Sequence, residues 1–206
     1  LAYELANGGQ VSIINRLDRE TSGLTLVAKR AEAARRLGML MERRAFTKEY
    51  RAIVFGWPGE EAFTVDAPMA RAGAFGPSEI FLKQAVHPRG APALTFFEVE
   101  RRLERPGAGR FALVRAFPAT GRTHQIRVHL AHAGFPLVGD KIYGADERCY
   151  LEFIETGWTP ALERRLLLDR HALHACGLAV PDAGLRWESP LPPDLVGWLA
   201  GCEDSG

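Results

Sequence analysis

Short alternating runs, each cut by a turn that no strand or helix can pass through, constrain this chain most. Thr47–Phe55 reads Thr-Lys-Glu-Tyr-Arg-Ala-Ile-Val-Phe and stops at Gly56-Trp57-Pro58-Gly59. Ala93–Val99 and Phe111–Phe117 form a second such pair, separated by Pro106-Gly107-Ala108-Gly109. Aromatic and β-branched residues two apart send one face into a core, and short turns return the chain antiparallel. The same reasoning predicts strands at Gln10–Ile14, Leu24–Ala28, Ile80–Val86 and His174–Val180. Helices are predicted at Ala31–Arg44, where Ala34, Leu37, Leu40 and Met41 share a face, and at Thr123–Ala133, which ends at Gly134 with Pro136 beyond. Two more are predicted at Pro160–Leu168 and Pro193–Leu199. Together these give an α+β fold with a mainly antiparallel (mixed) β-sheet core and flanking helices, in one domain over residues 1–206.

What is missing narrows the chemistry. No apolar run approaches the roughly 20 residues of a membrane helix, and Leu1 opens no signal-peptide pattern, so the reading is a cytoplasmic protein with no membrane partner. Cys149, Cys176 and Cys202 are far apart and never form a CxxC pair, which gives neither a disulfide framework nor a thiolate zinc site. Walker A, GxGxxG and GxSxG runs are absent, so nucleotide hydrolysis, dinucleotide redox chemistry and serine hydrolysis lack support. The net charge of +1 at first disfavours a nucleic-acid partner. Counted by segment the picture reverses: residues 1–130 carry 20 Lys+Arg against 13 Asp+Glu, a net +7, whereas residues 131–206 are net −6. Such asymmetry points to polyanion contact, with a solvated surface as the plainer reading.

Three segments carry functional groups. In Asn15-Arg16-Leu17-Asp18-Arg19-Glu20-Thr21-Ser22-Gly23, a polar loop between strands, Asp18 is flanked by two guanidinium groups that attract a carboxylate suited to act as nucleophile or base. An isolated loop Asp is also a turn former. In Lys48-Glu49-Tyr50-Arg51-Ala52, period 2 places Lys48, Tyr50 and Ala52 on one strand face. There the Tyr can stack on a base and move a proton, or else simply pack. The densest segment runs from Thr120 to His132 and includes Arg122, His124, Gln125, Ile126, Arg127, His129 and His132. Its three histidines follow HxxxxHxxH, which lacks the HExxH spacing and brings no helical carboxylate, so packing or hydrogen-bonding roles outweigh metal ligation. Gly139-Asp140-Lys141-Ile142-Tyr143-Gly144 reads equally well as a substrate-facing loop or as turn chemistry.

At these places the chain resembles the RluA family of RNA pseudouridine synthases. The family loop HRLDxxTSG matches residues 15–23 with Asn15 in place of His, and KxYxAxVxG matches residues 48–56. TGRTHQIRxHLxxxGxPxxGDxxYG matches Thr120 through Gly144, and LxRxxLHAxxL matches Leu168 through Leu178. The four motifs stand in order over most of the chain. The resemblance implies a single synthase catalytic domain lacking the N-terminal strands or the upstream RNA-binding domain that members normally carry, and a chain that opens on Leu1 without methionine reads as a fragment.

What the resemblance implies is isomerisation of specific uridines to pseudouridine in ribosomal or transfer RNA, by a monomer needing no metal, nucleotide or other cofactor. Asp18 is then the essential carboxylate, Arg127 its salt-bridge partner, and Tyr50 the group that stacks on uracil and accepts the C5 proton. Arg16 takes the place of, or holds, a flipped nucleotide. Arg19, Lys48, Arg122, His124, Gln125 and Ile126 complete the RNA-binding set, with Arg122, His124 and Gln125 on the backbone. An inactive RNA-binding module of the same fold is the alternative, and a hydrolase is a more distant one. The charge count adds an expectation: a basic cleft around Asp18, with the acidic C-terminal residues turned away from it.

Overall fold

A computed structural model describes residues 11–205; Gln10, where the first predicted strand begins, and the opening Leu1 lie outside them. In chain order the strands and helices are β1 (Ser12–Ile13), β2 (Ser22–Gly23), β3 (Val27–Ala28), α1 (Ala31–Glu42), β4 (Thr47–Phe55), β5 (Ala62–Asp66), β6 (Met69–Arg71), β7 (Gln84–Val86), β8 (Leu94–Arg105) and β9 (Gly109–Pro118). They continue with α2 (Gln125–His132), α3 (Arg148–Thr156), α4 (Pro160–Leu166), β10 (Leu173–Val180), β11 (Leu185–Glu188), α5 (Pro193–Ala200) and β12 (Glu203–Asp204).

The main sheet runs β11-β10-β4-β9-β8-β12, with β5 pairing along the other end of β8 and β2 along the other end of β10. Every pairing in it is antiparallel except β2 with β10, where Ser22 and Gly23 lie beside His174 and Ala175. Period 2 sorts the two faces. Ala52, Val54, Ala112, Val114 and Ala116 point to one side, where they meet Ile126 and Leu130 of α2. The three alanines of β4 and β9 leave the space that lets a helix seat close to the sheet. Ile53, Phe111 and Leu113 point the other way, onto Leu195, Trp198 and Leu199 of α5, with the Phe111 and Trp198 rings edge-on at 5.0 Å. Each such fully buried side chain contributes about 1.5–3 kcal/mol of transfer free energy.

The predicted strands at Thr47–Phe55, Phe111–Phe117 and His174–Val180 are present to within two residues at each end. Elsewhere tertiary contacts moved the boundaries. β8 runs on to Arg105 because its charged stretch finds partners across the sheet: Arg115 bonds Glu98, Arg102 bonds Glu61 and Arg101 bonds Asp204. The strand predicted at Ile80–Val86 shrinks to Gln84–Val86, since Ile80 is buried in a small satellite core and the chain turns at Phe81-Leu82. The one predicted at Leu24–Ala28 keeps only Val27–Ala28, pairing with β1. The helix predicted from Thr123 starts at Gln125, with His124 outside it in a left-handed conformation. Unanticipated α3 packs Cys149 and Phe153 on Leu162 and Leu166 of α4. Among the described residues no helix is long and apolar enough to cross a membrane.

Candidate active site

The loop between β1 and β2 is held at both ends and along its length. The Leu26 N–H donates to Asn15 Oδ1 at 2.7 Å, and Asn15 Nδ2 donates to the Leu24 carbonyl at 3.0 Å, so a side-chain amide closes the loop's base. Thr21 N–H donates to the Asp18 carbonyl at 3.0 Å and makes the tight turn after Asp18. Gly23 (φ +115°) lies so near β10 that a Cβ there would sit 2.2 Å from the Ala175 carbonyl oxygen; no other residue fits. The segment just before and within β10 grips the loop. Arg170 Nη1 donates to the Glu20 carbonyl at 3.2 Å, and the buried Lys141 ammonium bonds the Glu20 carboxylate at 2.8 Å. Thr21 Oγ1 lies 2.7 Å from His171 Nε2 and Ser22 Oγ lies 2.9 Å from His174 Nδ1. Because His174 Nε2 faces the Ser189 carbonyl at 3.2 Å and donates to it, the Ser22 hydroxyl donates to Nδ1. Burial above all, with Arg127 adding to it, drives His171 down to about 3, so it braces the loop as a neutral ring.

Held this way, Asp18 meets the first turn of α2. Arg127 Nη1 donates to Asp18 Oδ2 at 3.1 Å across 109 residues of sequence. The same guanidinium is locked from behind: Nε donates to Asp140 Oδ2 at 2.7 Å and Nη2 to Asp140 Oδ1 at 2.9 Å. Asp140 is fully buried and also accepts the N–H groups of Ile142 and Tyr143, both at 3.0 Å. Burial opposes charge on Asp140, but the Arg127 guanidinium and these donors outweigh it and hold the carboxyl at about 2. With two of its faces fixed on a permanent anion, Arg127 keeps one N–H aimed at Asp18. Fork geometry permits this double duty, which a Lys could not supply.

Asp18 opens onto a cavity of about 490 Å³. Among the described residues its charged lining is Arg16, Lys48, Arg122 and Arg127 against the single carboxylate of Asp18, and none beyond Leu178 reaches it. The pocket is therefore basic, and the acidic C-terminal residues stay out of its wall. Tyr50 and Lys48 enter from one face of β4, and Ala52, next on that face, is in the core beneath α2. Burial, followed by the nearby Asp18 charge, pushes the Tyr50 hydroxyl up to about 12, so it is protonated at neutral pH. Lys48 is lowered by burial. His124, also in the lining, is lowered by burial and by Arg127.

Other expected contacts fall differently. Arg19 is exposed and lies outside the lining. Gln125 is 4% exposed, and its amide is committed inside the protein: Nε2 donates to the Leu94 carbonyl and Thr95 Oγ1, while Oε1 accepts from Thr120 Oγ1 and Arg122 N–H. With its amide so engaged, Gln125 braces the 120–124 turn, and it also reaches the cavity wall. Ile126 is a core residue whose edge reaches the pocket. His129 is a satisfied core histidine between Thr95 Oγ1 (2.9 Å) and the Ala67 carbonyl (3.1 Å). Among the described residues no group of His, Cys, Asp or Glu is arranged to hold a metal. Asp140 and Tyr143, left open between substrate loop and turn, prove to organise the site. The sequence carries only the Gly139-Asp140 pair as a signal; the structure shows why Gly is needed, with φ +76° and the Arg170 carbonyl oxygen 1.9 Å from where a Cβ would lie.

The chain as a whole is similar to known proteins. A sequence profile described as RNA pseudouridylate synthase matches residues 1–132. An uncharacterized RNA pseudouridine synthase of Chloroflexus aurantiacus is 39% identical over 199 residues, covering 93% of this chain and 54% of that protein. Ribosomal large subunit pseudouridine synthase D of Escherichia coli strain K12 is 38% identical over 197 residues, covering 93% of this chain and 56% of that one. The chain thus spans somewhat over half the length of these relatives. Among solved structures, human RNA pseudouridylate synthase domain containing 1 superposes with a TM-score of 0.73 at 26% identity, over 95% of this chain and 75% of that one.

Proposed function

Since the chain belongs to the RNA pseudouridylate synthase family, we propose that it converts uridine to pseudouridine within a structured RNA. The observation that carries the reading is the Asp18–Arg127–Asp140 line: an accessible carboxylate held by a guanidinium that a buried carboxylate fixes from behind, at the wall of a basic cavity. In the reaction the C1′–N1 bond of uridine breaks, the uracil turns, and C5 bonds to C1′. The C5 proton is lost and N1 gains one, so the product is an isomer and no cofactor is consumed. Asp18 acts on the sugar, either at C1′ or by taking a sugar proton. Tyr50 packs on the uracil, and because its hydroxyl is protonated at neutral pH it relays the C5 proton, accepting one as it gives its own to water or to Asp18.

A uridine in folded RNA has to leave its stack to enter a pocket of this depth. Arg16, exposed at the rim, takes the vacated place or holds the displaced nucleotide, while Lys48 and Arg122 neutralise phosphates. The relatives named for the large ribosomal subunit make ribosomal RNA the first substrate to try, with transfer RNA next. One copy of the chain is the working unit in this reading, and the cytoplasm is its compartment. Tritium release from RNA carrying 5-³H-uridine tests the proposal. Wild-type protein releases tritium and Asp18→Ala none, with an unchanged melting temperature. Release that persists in Asp18→Ala overturns the catalytic assignment, and a wild type silent on every RNA overturns the reading.

A further inference from the structure

His124 occupies a backbone conformation that side chains avoid, φ +58° and ψ 16°, immediately before the first residue of α2. The strain, of the order of 1 kcal/mol or more, is kept by a structure that over-determines the residue. Its ring explains what is gained. Nδ1 lies 2.7 Å from the Tyr143 hydroxyl oxygen, which already accepts the Gln84 N–H at 2.8 Å. If Nδ1 carried a proton, the hydroxyl proton of Tyr143 would have no acceptor among the described residues. The hydroxyl therefore donates to Nδ1, and the ring's own proton sits on Nε2. Nε2 is 3.9 Å from Asp18 Oδ2, beyond hydrogen-bond distance, on the wall of the cavity. An N–H is thus fixed in direction and left without an acceptor among the described residues, beside the carboxylate that acts on the sugar.

We propose that the His124 Nε2–H is the hydrogen-bond donor to O2 of the target uracil, and that Tyr143 is the residue that positions it. The inference rests on the uridine-to-pseudouridine reading. Two atoms 3.9 Å apart share a locus about 3 Å from each, where reacting atoms can sit. With Asp18 at the sugar, the base oxygen nearest to C1′ is O2, on the carbon next to N1. When the C1′–N1 bond breaks, its electron pair leaves with the base, and the negative charge spreads from N1 onto O2 and O4. A pre-aimed N–H at O2 stabilises that charge as it develops, without transferring its proton. The surroundings keep the ring uncharged: burial and Arg127 disfavour a proton on it, against the weaker opposite pull of Asp18 and Asp140. An imidazolium would instead pair with Asp18 and draw it off the substrate. Neutral imidazole as an electrophile has precedent in other enzymes.

The test is single-turnover pseudouridine formation on an RNA whose target carries uridine, 2-thiouridine or 4-thiouridine, with wild type, His124→Leu, His124→Gln and Tyr143→Phe. Sulfur is a poor acceptor, so wild type should slow by about tenfold or more on the 2-thio substrate and little on the 4-thio one. His124→Leu should lose about 10²-fold on uridine, the scale of one oxyanion donor, and show no further 2-thio penalty. RNA affinity should fall far less than the rate. His124→Gln, which keeps an N–H near the same place, should recover part of the rate at an unaltered melting temperature. Tyr143→Phe should lower the rate and shrink the 2-thio effect, because Nε2 is no longer held as the donor. A His124→Leu enzyme with the wild-type 2-thio ratio, or one weakened only in RNA binding, overturns the inference while leaving the synthase reading intact. A wild type inactive on every RNA overturns that reading instead.

Discussion

Replacing Asp140 by Asn isolates the buried carboxylate that fixes Arg127. Asp140 Oδ1 accepts from Arg127 Nη2 and from the Ile142 and Tyr143 N–H groups, while Oδ2 accepts from Arg127 Nε. An Asn keeping its oxygen at the first position sets its NH₂ against the Arg127 Nε–H, two donors face to face at about 2.7 Å. The charge is lost as well, leaving a guanidinium only 6% exposed with Asp18 as its sole remaining anionic partner among the described residues. Breaking a buried pair from one side costs about 3–5 kcal/mol. A second route to the magnitude agrees in scale. The Asp140 carboxyl stands at about 2 against an ordinary 3.8, and a difference of about 2 units at roughly 1.4 kcal/mol each gives about 2–3 kcal/mol. That stabilisation is complete above pH 4 and disappears as the pH falls toward 2. Mutation is the harsher change because it adds a donor where the protonated acid still offers an oxygen.

Urea unfolding at pH 7 should therefore show Asp140→Asn less stable by about 3–5 kcal/mol with an unchanged m-value, equivalent to a melting temperature roughly 6–20 °C lower. The double variant Arg127→Met with Asp140→Asn removes both charges and the facing donor while keeping an oxygen for the Ile142 and Tyr143 N–H groups, so it should restore part of the lost stability. It should remain without activity, since nothing then holds Asp18. A loss under about 1 kcal/mol in Asp140→Asn, or a double variant no more stable than the single one, would refute the reasoning that a buried pair orders this site.

Gly23→Ala places a methyl 2.2 Å from the Ala175 carbonyl oxygen at φ +115°, so it should cost about 3 kcal/mol or more in urea unfolding and free the Asp18 loop to faster amide exchange. In Tyr50→Phe the relay hydroxyl is gone while the packing stays: tritium release should fall by about 10²-fold with stability nearly unchanged, and full turnover would remove Tyr50 from proton transfer. Since the Tyr50 hydroxyl titrates near 12, the wild-type rate should show no alkaline limb from it below about pH 10, read from a pH–rate profile in single turnover. His171 has its folded value lowered from 6.5 to about 3, so its contribution is fully present above pH 6.5 and declines as the pH falls from 6.5 toward 3, where only the unfolded chain binds the proton. His171→Asn should flatten the fall in urea midpoint between pH 6.5 and 4; an equally steep fall would assign the acid sensitivity to other groups.

The site was legible where the chemistry lies in one residue's type and neighbours. Asp18 in its loop, Tyr50 with Lys48 on an alternating strand, and Arg127 after the Thr120–Thr123 turn could all be picked out, because each stands in a short segment whose periodicity or turn pattern is local. Less legible were partnerships. Asn15 reads as a polar loop residue and turns out to close the loop with two backbone hydrogen bonds. Gln125 looks like a surface amide in sequence and is buried, because Leu94, Thr95, Thr120 and Arg122 satisfy it from outside its helix. α2 is buried over Gln125–Leu130, so it lacks the polar outer face by which helices announce their ends. The charged half of β8 escaped notice for the same reason: strand pattern is written in apolar alternation, and those residues are held by cross-strand ion pairs.

By itself the sequence determined which faces of β4, β9 and β10 would be apolar, where the chain must turn, and that its first 130 residues carry a cationic excess beside the motif segments. These are properties of spacing and composition, and they survive without knowledge of any neighbour. Only the tertiary structure decided that β2 would lie parallel to β10, that Arg127 would join Asp18 to Asp140, and that Tyr143 would set the proton on His124. Hydrogen bonds of this kind depend on angles and on distances near 3 Å between groups far apart in the chain. Burial then makes each of them matter, because a polar group removed from water must find its partner inside the fold.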